Sequence, residues 1–229
     1  MNYKYEFDKE ECWYKSACKY YNSEECKDTC LSFLKMHYLV NHSLLGKRYQ
    51  HPIILFPDKC DIESFEYLVS IRKDIVNYVK CGRSLLLLSK DTGVGKTTWS
   101  SKLMLQYLSK IKDTSDFKPR ALFINVPDLC NRLKLSISRP DETLDYILKY
   151  IKDVDLVVWD DIGSDSISSY EHGNIYSIIN YRVDNNKSNI YTTNATEEKL
   201  KELFGVRLWS RIYNMSDIVE FYGTDKRGL

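Results

Sequence analysis

The sequence predicts an α/β fold, a parallel sheet with helices on both faces, and three observations lead there. From about Asp61 onward, short apolar runs alternate with segments of helical period. One run, "SLLLLS" (84–89), passes into a loop with two close glycines and then into a helical pattern. Another, "DLVVWD" (155–160), ends in adjacent acids, Asp160 and Asp161.

In chain order, the first 45 residues form a distinct segment. Four of the seven cysteines, Cys12, Cys18, Cys26 and Cys30, fall within it. "NSEECKDTCLSFLKMHYL" reads as a helix capped at Ser23, which places Cys26 and Cys30 one turn apart on one face. Residues 46–62 carry Gly46, Pro52 and Pro57 without periodicity and read as a linker. The main domain then spans 63–229. Its expected strands are 84–89, 120–126, 155–160, 188–193 and 217–222, separated by helical patterns such as Ile175, Ile178, Ile179 and Val183. Five strands with their crossovers use up the chain, so no C-terminal lid domain is expected.

Composition narrows the classes. At 229 residues the chain accommodates one α/β domain and a small appendage. A net charge of +1 requires any nucleic-acid contact to come from a local basic patch. No apolar run approaches the roughly 18 residues of a membrane span, and the charged start lacks a secretion signal. A reducing cytoplasm is therefore expected, where clustered cysteines are thiols or metal ligands.

The loop "KDTGVGKTT" has the chemistry of a phosphate cradle. A tight turn between a buried strand and a helix start aims several N–H groups at one point, reinforced by the helix dipole. The expected cradle runs through Asp91, Thr92, Gly93, Val94, Gly95, Lys96, Thr97 and Thr98. Gly93 and Gly95 permit close approach, Lys96 reaches the β and γ phosphates of ATP, and the Thr97 hydroxyl ligates Mg²⁺. The pattern departs from the usual one at its first position, where Lys90 stands for glycine.

Hydrolysis also needs a carboxylate for the metal and a group to orient water. Asp160, at the carboxyl end of a buried strand, is assigned to Mg²⁺ with Thr97, and Asp161 to the attacking water. Asn194, ending the strand "SNIYTT", is a neutral hydrogen bonder for water or the γ phosphate, although "NAT" also caps the next helix through Thr196. Zinc is the expected metal of the cysteine segment, since closed sites pair thiolates two to four residues apart. Cys26 and Cys30 fit that spacing, Cys12 and Cys18 are looser, and His37 or His42 could replace one of them; buried thiols are the alternative.

"TGVGKTT", "VVWDDIG", "NIYTTNAT" and "GVRLWSRI", in this order and spacing, resemble the AAA+ loaders of replicative helicases, the DnaC and DnaI type, and their transposition relative IstB. The resemblance covers roughly residues 50–229. It implies a five-stranded sheet in AAA+ order, a weak ATPase completed by a neighbouring subunit and stimulated by assembly or DNA, and a homo-oligomeric active state. It also implies that Arg211, the second member of the pair Arg207 and Arg211, is the arginine finger. Extra helices before the third strand imply contact with single-stranded DNA, here through Arg132, Lys134 and Arg139. A zinc-bearing N-terminal module would grip the replicative helicase. A transposition helper ATPase, a nucleotide-binding adaptor with little turnover and a small-molecule kinase are the competing readings.

Overall fold

The computed structural model describes residues 8–51, 53–164 and 168–226. Residues 1–7 of the expected cysteine segment and 227–229 of the expected ATPase domain lie outside them. Five strands, β1 (Ser84–Leu88), β2 (Ala121–Asn125), β3 (Leu156–Asp160), β4 (Ser188–Thr193) and β5 (Ser216–Glu220), form one parallel sheet in the order β2-β3-β4-β1-β5. The strand ranges match those expected to within a residue or two.

Strands buried on both sides must be apolar at consecutive positions, and the packing shows why "LLLL" and "LVVW" serve. Leu85, Leu87, Leu156, Val158 and Ile190 join one core cluster, and Leu86, Val157, Trp159 and Tyr191 the other. Helices α1 (Leu31–Asn41), α2 (Ile62–Lys73), α3 (Ile75–Lys80) and α4 (Lys96–Ile111) supply the first cluster. The second is supplied by α5 (Val126–Ser136), α6 (Glu142–Tyr150), α7 (Ser169–Asp184) and α8 (Glu197–Asn214).

Local chemistry starts these helices. The Asn125, Asp141 and Thr196 side chains accept from the backbone N–H groups of Asp128, Leu144 and Lys199 and so cap α5, α6 and α8. Within α8, Gly205 takes a left-handed φ of 73°, a kink that sets Arg207 and Arg211 on a separate helical run.

The N-terminal segment differs from the expected helix. Residues 13–29 form successive turns, and the helix begins only at Leu31, with Cys30 as its N-cap. The Ser23 hydroxyl caps a turn instead, bonded to Glu25. The reason is where apolar contact is available: Met36, Leu39 and Val40 of α1 join the first core cluster, whereas residues 18–30 offer no comparable apolar face. Trp13 donates from Nε1 to the Gln50 carbonyl at 2.7 Å, and the Tyr14 hydroxyl lies 3.2 Å from that of Ser109 on α4.

Candidate nucleotide site

The C-terminal edges of β1, β3 and β4 converge on one hollow, where the strand order reverses around β1 and ligands bind in open α/β sheets. A cavity of about 370 Å³ is lined there by Thr92, Gly93, Gly95, Lys96, Thr97, Thr98, Asp160, Asp161, Thr192 and Asn194. Positive φ within the loop is confined to its glycines, 77° at Gly93 and 109° at Gly95, which as N-cap turns the chain into α4. A Cβ at Gly93 would lie 1.8 Å from the Asp225 carboxylate, so the position is closed to side chains on both counts. Lys90 escapes the requirement: its φ is not positive, its side chain is exposed, and it faces a different hollow beside Ser89 and Asn194. Asp91 and Val94 do not line the cavity: Asp91 is exposed and only its carbonyl turns inward, toward Lys96, and Val94 is fully buried in the core.

Charged and polar groups interlock across the cavity. The Lys96 ammonium, nearly buried, donates to the Asp91 carbonyl at 3.2 Å and to Asn194 Oδ1 at 2.5 Å. The Thr97 hydroxyl donates to Asp160 Oδ1 at 3.0 Å, and that of Thr192 donates to the same oxygen at 2.8 Å. Burial holds the Asp160 carboxyl above the usual range, against the hydrogen bonds from Thr192 and Thr97 that favour its ionised form. Asp161 adopts a left-handed φ of 61°, a strained conformation for a side-chain-bearing residue, and its N–H donates to Thr192 Oγ1 at 2.9 Å. Asn194 Nδ2 stands 3.5 Å from Asp161 Oδ1.

The remaining wall comes from distant sequence. Arg48, Tyr49, Ile53 and Leu55 line one side and Lys226 another. Residues 222–226 lie over the glycine loop: the Lys226 N–H donates to the Gly93 carbonyl at 3.0 Å and its ammonium to Asp58 at 2.8 Å. Asp61, fully buried, accepts from the N–H groups of Tyr222 at 2.8 Å and Gly223 at 3.1 Å.

No protein-family model matches the chain. It is 24% identical over 209 residues to the replicative helicase loader DnaI of Bacillus subtilis, an alignment covering 86% of this chain and 63% of that protein. The chain thus spans somewhat less than two thirds of that relative's length. The crystal structure of the DnaC helicase loader superposes with a TM-score of 0.62 at 26% identity, covering 77% of this chain and 100% of that one. AMPPCP-bound DnaA from Aquifex aeolicus shares the fold, with a TM-score of 0.55 at 18% identity over 80% of this chain and 53% of that one. The chain resembles the DnaC/DnaI-type AAA+ helicase loaders. Its five-stranded parallel sheet with flanking helices is the AAA+ P-loop fold.

The loader likeness bears on residues outside the cavity. Arg211 does not line it; its guanidinium donates to Asn180 and, at 2.8 Å, to Asp184 on α7, while Arg207 is exposed. Of the basic residues before β3, Arg132 is held by Asp128 and Asp141 and Lys134 pairs with Glu171, leaving Arg139 exposed.

The cysteines do not fit zinc as expected. No group of three or more His, Cys, Asp or Glu among the described residues could hold a metal ion. Because the turns at 13–29 replace the helix, Cys26 and Cys30 do not share a helical face. Burial raises the Cys12 thiol, against a backbone hydrogen bond from Tyr14 that lowers it, with smaller contributions from Cys30, Cys18 and Cys26. His37 and His42 are engaged elsewhere, His37 with Asn41 and His42 with the Tyr38 carbonyl. No described helix is long and apolar enough to cross a membrane.

The sequence patterns did not single out Thr192, which bridges the two acids, or the wall from Arg48, Tyr49, Ile53, Leu55, Asp58 and Asp61 with residues 222–226. Thr192 follows Tyr191, which pairs with Trp159 immediately before Asp160, so a parallel alignment of "VVWDD" with "IYTTN" brings its hydroxyl to the acid. The wall has no sequence signal, since its contacts join residues more than 160 positions apart.

Proposed function

We propose that this chain is an ATP-dependent loader of a replicative DNA helicase onto single-stranded DNA. One observation carries the reading: Lys96 with Asn194, and Thr97 with Asp160, are paired within hydrogen-bond distance in one cavity of an AAA+ fold. The likeness to DnaI and DnaC supports the assignment of a helicase as partner.

The residues fit Mg²⁺ and a triphosphate. Thr97 and Asp160 are two hard oxygen donors at 3.0 Å, the kind of pair Mg²⁺ takes beside phosphate oxygens. The metal, when bound, neutralises charge developing on the phosphates. The Lys96 ammonium exchanges its Asn194 and Asp91 acceptors for phosphate oxygens, and the glycine loop donates N–H groups. Asn194, relieved of Lys96, and Asp161 then orient water for in-line attack. Arg211, released from Asp184, reaches the site of a neighbouring copy, so an isolated subunit turns over slowly and assembly or DNA accelerates it. In this reading Arg139 and the adjoining helix ends follow the DNA backbone.

The test is co-purification of the full chain with its replicative helicase, with phosphate release measured with and without single-stranded DNA. Helicase capture and DNA-dependent turnover are expected. Capture of a transposase and no helicase replaces this reading with a transposition helper; ATP binding without turnover in any assembly replaces it with a nucleotide-binding adaptor.

A further inference from the structure

A second hollow, of about 600 Å³, opens at the opposite edge of the sheet. Its lining includes Lys80, Lys110, Arg120 and Lys187, with Asp155 and Tyr107. Arg120 precedes β2, Asp155 precedes β3 and Lys187 precedes β4, so the hollow sits at the N-terminal ends of strands whose C-terminal ends hold the nucleotide site. Five residues of strand separate the two, roughly 16 Å.

The charge here exceeds what the fold consumes. Asp155 accepts from Arg120 Nε and from the Tyr107 hydroxyl, both at 2.6 Å, which accounts for one cation. The Lys187 ammonium donates to the Asp153 carbonyl at 2.8 Å and keeps its charge. Lys80 and Lys110 are exposed and make no hydrogen bond or ion pair among the described residues. Helices α3, α4 and α7 end nearby, and each C-terminus presents about half a negative charge. Four cations, less one for Asp155 and about 1.5 for the helix ends, leave roughly +1.5 in a concave site. The Tyr107 ring is buried, so no aromatic platform faces the hollow for a base to stack on. Such a site reads phosphate, not sequence.

We propose that this basin binds phosphate-bearing anions at a site separate from the nucleotide cavity. The shared chemistry is the phosphate group, from a single-stranded DNA backbone or from free polyphosphate. The full chain carrying Lys96→Ala, which weakens the nucleotide cavity as a competing phosphate site, is titrated with inorganic tripolyphosphate by calorimetry and with a short oligothymidylate by fluorescence anisotropy. At least one probe binds, and adding Lys80→Glu with Lys110→Glu weakens it about tenfold or more. For the oligonucleotide, the salt slope also falls by about 1.4, two contacts at about 0.7 each. Binding of the oligothymidylate assigns a nucleic-acid backbone; binding of tripolyphosphate alone assigns a free polyphosphate. The double charge reversal in the otherwise unaltered chain keeps ATP affinity, which shows the fold intact and the two sites separate. Failure of both probes to bind, binding indifferent to the reversal, or loss of ATP binding with it overturns the proposal. An unaltered chain that takes up no ATP refutes the nucleotide site instead.

Discussion

Asp61→Ala tests whether Asp61 fastens the far wall of the candidate nucleotide site. The carboxylate is fully buried and accepts two backbone N–H groups, from Tyr222 and Gly223. Removing it orphans both donors, each costing about 1–3 kcal/mol. Relief from burying the carboxylate offsets part of that, so about 3 kcal/mol of net destabilisation is expected. For a chain of this length each kcal/mol shifts the midpoint by about 2–4 °C, giving a fall of about 6–12 °C. Thermal unfolding followed by circular dichroism without nucleotide reads the shift. The tail also carries Lys226, whose N–H holds the Gly93 carbonyl, so ATP affinity falls together with stability. A midpoint within about 2 °C of the parent, under one kcal/mol by the same conversion, refutes the claim that Asp61 fastens the tail.

Lys96→Ala removes a charged donor to the phosphates, worth about 1.5–3 kcal/mol per bond; ATP affinity is expected to drop at least about tenfold in calorimetry. Arg211→Ala leaves ATP binding by the single subunit intact, because its partners are Asn180 and Asp184 and it lies outside the cavity, yet slows phosphate release by the assembly about a thousandfold. Unchanged assembled turnover would exclude it as the finger. Asp160→Asn separates stability from binding. Since burial raises its pKa, the folded state holds a proton over a range where the unfolded chain has lost it, so stability declines as pH rises through that range and the ionised form is a cost at neutral pH. The variant therefore melts higher than the parent at neutral pH without metal, and loses Mg²⁺-dependent protection by ATP. For the same reason, ATP binding by the parent weakens on acidification at a pH above that of an ordinary carboxylate.

Arg182 shows the other kind of buried charge. It lies wholly inside, donating to the carbonyls of Ile151, Val154 and Ser188 and to Asn189, and burial lowers its pKa only to about 10, so it stays charged at neutral pH while tying β4 to the end of α6. Nothing in "NYRVDN" announces that role, because the acceptors are backbone groups brought together by packing.

The sequence alone determined the sheet, its strands and the position of the glycine loop between β1 and α4. Consecutive apolar residues leave a strand no solvent-facing side, and closely spaced glycines before a lysine mark a turn where the backbone takes positive φ. It also assigned Asp160 with Thr97 to Mg²⁺ and Asn194 to the attacking water or the γ phosphate, since parallel strands deliver their ends to one edge, but the pairing of Asn194 with Lys96 emerged only from the fold. It could not foresee that residues 13–29 stay in turns, because helix formation there depends on apolar contact with the rest of the molecule and not on cap and spacing. Tertiary structure alone decided that Asp58 and Asp61 clasp residues 222–226 over the loop, and that Arg132 is already matched by Asp128 and Asp141. Such pairings act through space between positions that are remote along the chain, and no local pattern encodes them.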